Sequence, residues 1–121
     1  MKEIIERYVA QSKHSLDNAG VYMRKGDAAK SGEFLWGSTA EAVKAVAASN
    51  GIIFHSHKRL KSYALELARE LQDKSIADAF DKAEYLHFNF YESELGLEDV
   101  YRIAEDVRKA VGKILGLVPQ F

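Results

Sequence analysis

The sequence contains no cysteine and only one proline, and neither sign of charge is in clear excess. The absence of cysteine excludes disulfide bonds, thiol catalysis and cysteine-ligated metal sites. The 17 basic and 18 acidic residues give a formal net charge of −1, so the chain lacks the basic excess typical of a general nucleic-acid binder. Because Pro119 lies near the end, proline interrupts no predicted helix.

Long apolar runs are also absent. No stretch reaches the roughly 18–20 consecutive apolar residues of a membrane span, and the first residues, MKEIIERYVAQSKH, carry charge throughout. We therefore expect no membrane segment and no signal peptide, and a chain that works in the cytoplasm. With 121 residues, 47% of them hydrophobic, we expect one compact domain over residues 1–121.

Apolar residues recur at steps of three and four along most of the chain, which is the spacing of one helical face. No alternating pattern typical of strands competes with it. The pattern predicts five helices, at about residues 2–24, 28–49, 58–72, 76–93 and 98–115. In the fifth helix it places Val100, Ala104, Val107, Val111 and Ile114 on the inward face. Because the connections are short, successive helices are expected to be antiparallel neighbours. The predicted fold class is all-α, an up-and-down bundle of about five helices.

Helix ends carry recognisable signals. Gly26 is suited to a left-handed residue after the first helix, and Asp27 to the N-cap of the second. Ser56 or His57 is expected to cap the third helix, whose inward face is predicted to extend to Leu71. The second helix shows apolar and small residues, with Trp36 among them, over a wide core arc, so it is predicted to be the central helix.

The stretch EYLHFNFYES, residues 84–93, is the most aromatic part of the chain. A helical wheel places His87 and Tyr91 one turn apart on the flank of the core face. Two interpretations of His87 stay open. It is either a general base with a pKa near neutrality or a half-buried helix histidine hydrogen-bonded to its neighbours.

Three aromatic residues are predicted to face away from the core. Tyr85 and Phe88 lie on the far side of the fourth helix, and Phe34 lies opposite the core arc of the second. Outward apolar side chains indicate an interface with a partner chain. The alternative is that they are isolated surface aromatics, which are common in soluble proteins.

Polar residues offer several weaker candidates for a site. His55 and His57 alternate as they would at a metal site, but no local spacing supplies a third ligand, so we expect no metal and no cofactor. Glu41 and Lys44 are three residues apart and are expected to pair on the surface. No phosphate loop, GxSxG or HExxH motif is present. The candidate ligand-binding residues are Glu41, Lys44, His57, His87 and Tyr91.

Three segments together resemble a known superfamily. They are LWGSTAEAVKA at 35–45, HKRL at 57–60 and LHFNFYE at 86–92. In this combination they resemble the HEPN superfamily, the higher-eukaryote and prokaryote nucleotide-binding domain, and within it the archaeal PaREP family. The resemblance implies a helical bundle that is commonly dimeric. Many superfamily members are metal-independent ribonucleases, and others are non-catalytic partners of minimal nucleotidyltransferases.

The ribonuclease signature of the superfamily is an arginine, four to six residues, then a histidine in a late helix. This sequence has Lys82, four residues, then His87. Lysine lacks the planar fork with which arginine holds a phosphate. The resemblance therefore favours a non-enzymatic module, expected to be a homodimer, that binds a nucleotidyltransferase-type partner or a small ligand such as a nucleotide. The alternative is a divergent metal-independent ribonuclease acting on RNA, in which Lys82 supports phosphate, His87 transfers protons and Tyr91 orients His87.

Overall fold

The computed structural model describes residues 1–89 and 95–120. In these parts of the chain the backbone forms five α-helices, which confirms the all-α fold class. They are α1 (Lys2–Arg24), α2 (Ala28–Ser49), α3 (His57–Glu70), α4 (Lys74–Asn89) and α5 (Leu97–Leu115). The predicted end of the fourth helix, residues 90–93, lies outside the described residues.

The turn between α1 and α2 and the start of α3 follow the predicted capping chemistry. Gly26 adopts a φ of +76°, which a glycine tolerates without strain. The Asp27 carboxylate accepts the Lys30 backbone N–H at 3.0 Å, and the Ser56 hydroxyl accepts that of Arg59 at 3.2 Å. These bonds satisfy N–H groups that a helix start would otherwise leave unpaired.

The turn between α3 and α4 differs from the prediction. The α3 helix ends at Glu70, so Leu71 lies beyond its last turn and is 42% exposed instead of buried. The α4 helix begins at Lys74, two residues earlier than predicted. The Asp73 carboxylate accepts the Ser75 N–H at 3.0 Å and so caps the new helix.

The central position predicted for α2 is confirmed, because this helix packs against each of the other four. Its buried side chains lie on nearly all sides, from Leu35 and Val43 to small residues that let neighbours approach. At the contact with α1, the Ser12 hydroxyl donates to the Ser38 carbonyl at 2.8 Å. The Ser38 hydroxyl donates to the Ser12 carbonyl at the same distance. These paired bonds hold two backbones close together.

The inward faces of α4 and α5 complete the core. Phe80 and Leu86 of α4 are fully buried, and so are Val100, Val107 and Ile114 of α5. These five side chains belong to the same apolar cluster as Leu35 and Val43 of α2. The core therefore lies between α2 and the α4–α5 pair.

One connection does not reverse the chain direction. His57, at the start of α3, lies 5.2 Å from Trp36 in the first half of α2. The Tyr63 hydroxyl accepts a hydrogen bond at 3.1 Å from Asn50, just after α2 ends. Hence α2 and α3 run in the same general direction, and the prediction that all successive helices are antiparallel is wrong here. The connection over residues 50–56 returns along α2, which extended chain at about 3.3 Å per residue permits.

Within the described residues, no helix is both long and apolar enough to cross a bilayer.

Candidate functional site

A cleft lies between the middle of α2 and the start of α3. Trp36, Ala40 and Lys44 follow one another at four-residue steps, which places them on one face of α2. The connection at residues 54–57 and Leu60 of α3 form the opposite wall. The cleft encloses about 340 Å³ and is open to solvent. The return of the chain along α2 creates this cavity.

Trp36 is the centre of a cluster of rings beside the cleft. His87 stacks on the indole with centroids 5.3 Å apart and planes at 16°, and His57 lies 5.2 Å away at 38°. Phe80 meets the indole edge-on at 5.4 Å. Phe88 contacts both histidines, at 5.1 and 4.7 Å. Rings from α2, α3 and α4 therefore meet at one place and fix each other's orientation.

His57 is held by a carboxylate from the neighbouring helix. Its Nε2 donates to Glu84 of α4 at 2.5 Å, and the Lys61 ammonium donates to the same carboxylate at 2.8 Å. His57 and Lys61 reach one acceptor because they are four residues apart on α3. Burial raises the pKa of Glu84, but the hydrogen bonds from Lys61 and His57 outweigh burial and keep that pKa below its usual value. The bond to Glu84 also raises the pKa of Lys61.

His87 is held in a similar way from α2. Its Nδ1 donates to the Glu33 carboxylate at 3.2 Å, and 34% of the His87 side chain is exposed. These are the contacts of a half-buried helix histidine. Within residues 1–89 and 95–120, nothing hydrogen-bonds to Nε2 of His87 or to Nδ1 of His57. Two imidazoles, each anchored by a glutamate, thus present beside the same indole a nitrogen to which no described residue hydrogen-bonds.

Lys82 and His87 do not meet in this arrangement. The Lys82 ammonium donates to Asp106 of α5 at 2.8 Å, and this bond raises the pKa of Lys82. His87 instead contacts Glu33 and Trp36 of α2. Because Lys82 and His87 are five residues apart on α4, their side chains point toward different neighbouring helices. Tyr91, the third member of the predicted group, lies outside the described residues.

Glu41 and Lys44 do not contact each other directly, although the charge of Lys44 lowers the pKa of Glu41. The Glu41 carboxylate accepts a hydrogen bond from Ser15 of α1 at 3.1 Å, and burial raises the pKa of Glu41. The predicted Glu41–Lys44 surface ion pair is not formed within the described residues. Lys44 lines the cleft with His57, whereas Glu41 faces α1.

The three predicted interface aromatics differ in exposure. Tyr85 is 46% and Phe88 59% exposed on the outer face of α4. Phe34 is half-buried and stacks on Tyr22 of α1, with centroids 5.5 Å apart. The prediction that Phe34 faces away from the packed helices is wrong, because α1 covers that side of the central helix.

His55 lines the same cleft as His57. In the described parts of the chain, no group of three or more histidine, aspartate or glutamate side chains is placed to hold a metal ion.

Sequence reasoning assigned Trp36 to the core and gave no role to Glu33 or Glu84. A local signal existed for one of these contacts, because His57 and Lys61 share a face of α3 and together predict a carboxylate partner. No local signal connects Glu33 with His87, since 54 residues separate them. This contact depends on the packing of α4 against α2.

The sequence model of the archaeal PaREP1/PaREP8 family matches residues 7–111. The chain belongs to this family. The match spans the cleft and both anchored histidines, and it confirms the PaREP part of the resemblance. Membership of the HEPN superfamily stays a prediction.

A solved structure resembles this PaREP-family chain over most of its length. It is the crystal structure of a protein from Sulfolobus solfataricus, which superposes with a TM-score of 0.77 over 90% of this chain and 97% of the other. The two sequences are 22% identical, so the likeness supports the helical fold alone. No curated protein sequence matches the chain.

Proposed function

We propose that this PaREP-family protein is a non-enzymatic, HEPN-like helical module that binds a small anionic ligand with a planar ring. A nucleotide is the first ligand to test, and we expect the protein to act in the cytoplasm. The observation that carries this proposal is the open cleft of about 340 Å³, where Trp36 lies beside Lys44 and His57. An indole stacks on planar rings, and an ammonium group attracts an anion.

The charges near the cleft support an anionic ligand. Lys82 and Lys113, in the groove between α4 and α5, are paired with Asp106 and Asp73 at 2.8 Å. Lys44 forms no ion pair with any part of the chain that the structure describes. An incoming anion therefore need not displace a carboxylate from Lys44. A cleft of this volume falls within the range of about 300–1,000 Å³ that is typical of small-ligand sites.

Trp36 is the only tryptophan in the sequence, so its fluorescence reports directly on the cleft. We expect adenosine monophosphate, or another nucleotide of a panel, to change this fluorescence saturably. Lys44→Ala should weaken binding by about tenfold, because it removes a charge contact worth roughly 1.4 kcal/mol.

Lys109→Ala is the matched control, since Lys109 lines the groove between α4 and α5. It should leave the affinity unchanged, and circular dichroism should show equal helicity in both variants. An absence of saturable change with every nucleotide, or an equal loss in both variants, would contradict nucleotide binding at this cleft.

The resemblance to the HEPN superfamily also motivates a protein partner. We propose a homodimer and, as a second partner, a protein of the nucleotidyltransferase type. Purification at low salt followed by mass spectrometry tests the second partner. A nucleotidyltransferase that co-purifies in a fixed ratio is the expected result, and purification of the chain without one would remove this part of the proposal.

A metal-independent ribonuclease is the second candidate function, and the two anchored histidines favour it. In the simplest scheme, His57 accepts the proton of a ribose 2′-hydroxyl, whose oxygen attacks the adjacent phosphorus. The bond from phosphorus to the 5′ oxygen breaks, and protonated His87 donates its proton to that oxygen. The products are a 2′,3′-cyclic phosphate and a 5′-hydroxyl. This scheme replaces the Lys82–His87 pair predicted from the sequence, because Lys82 contacts α5.

RNA cleavage by the purified protein and three variants distinguishes these assignments. His57→Ala and His87→Ala should each abolish cleavage, whereas Lys82→Ala should retain it. Cleavage that needs Lys82 but not His57 would restore the original pair. A protein that cleaves no RNA would leave the binding module as the remaining candidate.

A further inference from the structure

We propose that the outer faces of α3 and α4 form a self-docking surface, on which a second copy of this chain places its α3 against α4. We call this surface the α3–α4 face. It consists of exposed residues on both helices, Lys58, Arg59 and Ser62 with Asp81, Tyr85 and Phe88. This inference rests on the proposed function in one respect, because it names the surface through which the proposed homodimer forms.

The α4 half of this face is acidic and aromatic. Asp81, Tyr85 and Phe88 follow one another at steps of four and three, so they form one exposed stripe along the helix. Tyr85 and Phe88 are among the most exposed large hydrophobic side chains of the described chain. Two such rings, one turn apart on one helix, form a patch that is typical of a binding surface.

The α3 half of the face is basic. Lys58, Arg59 and Lys61 occupy the first two turns of α3, and the first acidic residue of this helix is Glu66. Lys61 is engaged by Glu84, but Lys58 and Arg59 are exposed and form no ion pair with residues 1–89 or 95–120. A basic half beside an acidic and aromatic half makes the face complementary to itself.

Because α3 and α4 pack antiparallel, the position of each α3 side chain along the helix axis determines which α4 side chains lie beside it. His57 contacts Glu84 and Phe88, so Lys58 lies near the level of Tyr85. A two-fold axis parallel to the helices and between them would place each α3 over the α4 of the other copy. Lys58 would then lie over the Tyr85 ring of the second copy and within one turn of its Asp81, and each contact would occur twice.

The ligand cleft is connected to this face through Phe88. Phe88 touches His57 at 5.1 Å and His87 at 4.7 Å, and its outer side is exposed. A second copy on the α3–α4 face would cover that side and restrict the motion of both histidines. Dimer formation and ligand binding at Trp36 are therefore expected to favour each other.

Sedimentation velocity of the ligand-free protein over a wide concentration range tests the surface. We expect a monomer–dimer equilibrium. Lys58→Glu and Asp81→Lys should each raise the dissociation constant by at least about tenfold, because each places like charges together. The double variant exchanges the two charges and should restore most of the affinity.

Asp17→Lys is the control for charge reversal, because Asp17 is exposed on α1, away from this face. Tyr85→Ala removes an aromatic contact without touching the ring cluster and should also weaken the dimer. Circular dichroism confirms that each variant is folded. A chain that stays monomeric, or a dimer that none of these changes weakens, would overturn the α3–α4 face. Nucleotide titrations of Trp36 fluorescence test the cleft in a separate experiment, and saturable binding by a monomeric chain would support the cleft proposal while overturning the α3–α4 face.

Discussion

At the scale of single residues, the carboxylates of this chain differ according to what surrounds them. Glu84 is partly buried, yet the bonds from Lys61 and His57 lower its pKa. Glu41 is also partly buried, and desolvation raises its pKa more than the hydrogen bond from neutral Ser15 and the charges of Lys44 and His14 lower it. A neutral donor compensates less for lost hydration than a cation does. The charged form of Glu41 is therefore disfavoured in the folded state, at some cost to stability.

Replacement of Glu41 by glutamine should reveal this cost. Because the pKa of Glu41 is higher in the folded than in the unfolded state, folding takes up protons between the two values. The free energy of unfolding therefore falls as pH rises through that interval. Glu41→Gln should be more stable than the parent at neutral pH, with a difference that disappears below the unfolded pKa of about 4.3. Chemical denaturation at several pH values measures this difference.

Glu66→Gln is the matched control, because Glu66 is an exposed residue of α3. Its effect on the free energy of unfolding should be small. A Glu41→Gln protein that loses stability at neutral pH would mean that the charged hydrogen bond to Ser15 outweighs the desolvation.

At the scale of helices, small polar residues join α1 to α2. Ser12 and Ser38 are both fully buried and exchange hydroxyl-to-carbonyl bonds, and Ser31 donates in the same way to the Ala19 carbonyl at 2.9 Å. Larger side chains would hold the two helices apart and leave these hydroxyls without partners. These hydrogen bonds therefore fix the register of α1 against α2 as well as the short distance between the two helices.

Ser12→Ala should destabilise the protein by about 1–3 kcal/mol, because it removes a buried donor and leaves the Ser38 carbonyl short of a partner. Ser38→Ala should cost a similar amount. Since the two hydroxyls act on each other's backbone, the double variant should cost less than the sum of the single changes. Urea denaturation of the three variants measures the free energies.

Ser62→Ala on the exposed side of α3 is the control and should change stability by less than about 0.5 kcal/mol. Strictly additive effects of Ser12→Ala and Ser38→Ala would show that the two hydroxyls act independently.

At the scale of the whole molecule, one apolar cluster includes side chains from all five helices. The α2 helix contributes to every part of it, and Trp36 lies where α2, α3 and α4 meet. A core of this kind has no internal boundary at which part of the bundle separates easily. This is the physical basis for the prediction that residues 1–121 fold as one domain.

Thermal and chemical unfolding should therefore be cooperative. Trp36 fluorescence reports on the contact of α2 with α3 and α4, whereas far-ultraviolet circular dichroism reports on all helices, including the α1–α2 hairpin. We expect the two transitions to coincide, as in two-state unfolding. Fluorescence that changes well before the dichroism would indicate that α3 and α4 separate first from a residual hairpin.

The sequence by itself determined the helices, because their signals are local. The bounds of α1 and α2 agree with the prediction, and the repeat of apolar residues placed Val100, Val107 and Ile114 of α5 in the core. The capping of α2 by Asp27 was predicted from the chemistry of that one side chain. Each of these features depends on residues within about one or two helical turns of each other.

Only the tertiary structure decided the site. Trp36 looked like a core residue until α3 returned along α2 and left the cleft beside it. Glu33 became the partner of His87 because α4 packs against α2, and Asp106 drew Lys82 toward α5. Side chains far apart in sequence meet according to the order and direction of helix packing, which the pattern of a single helix does not contain.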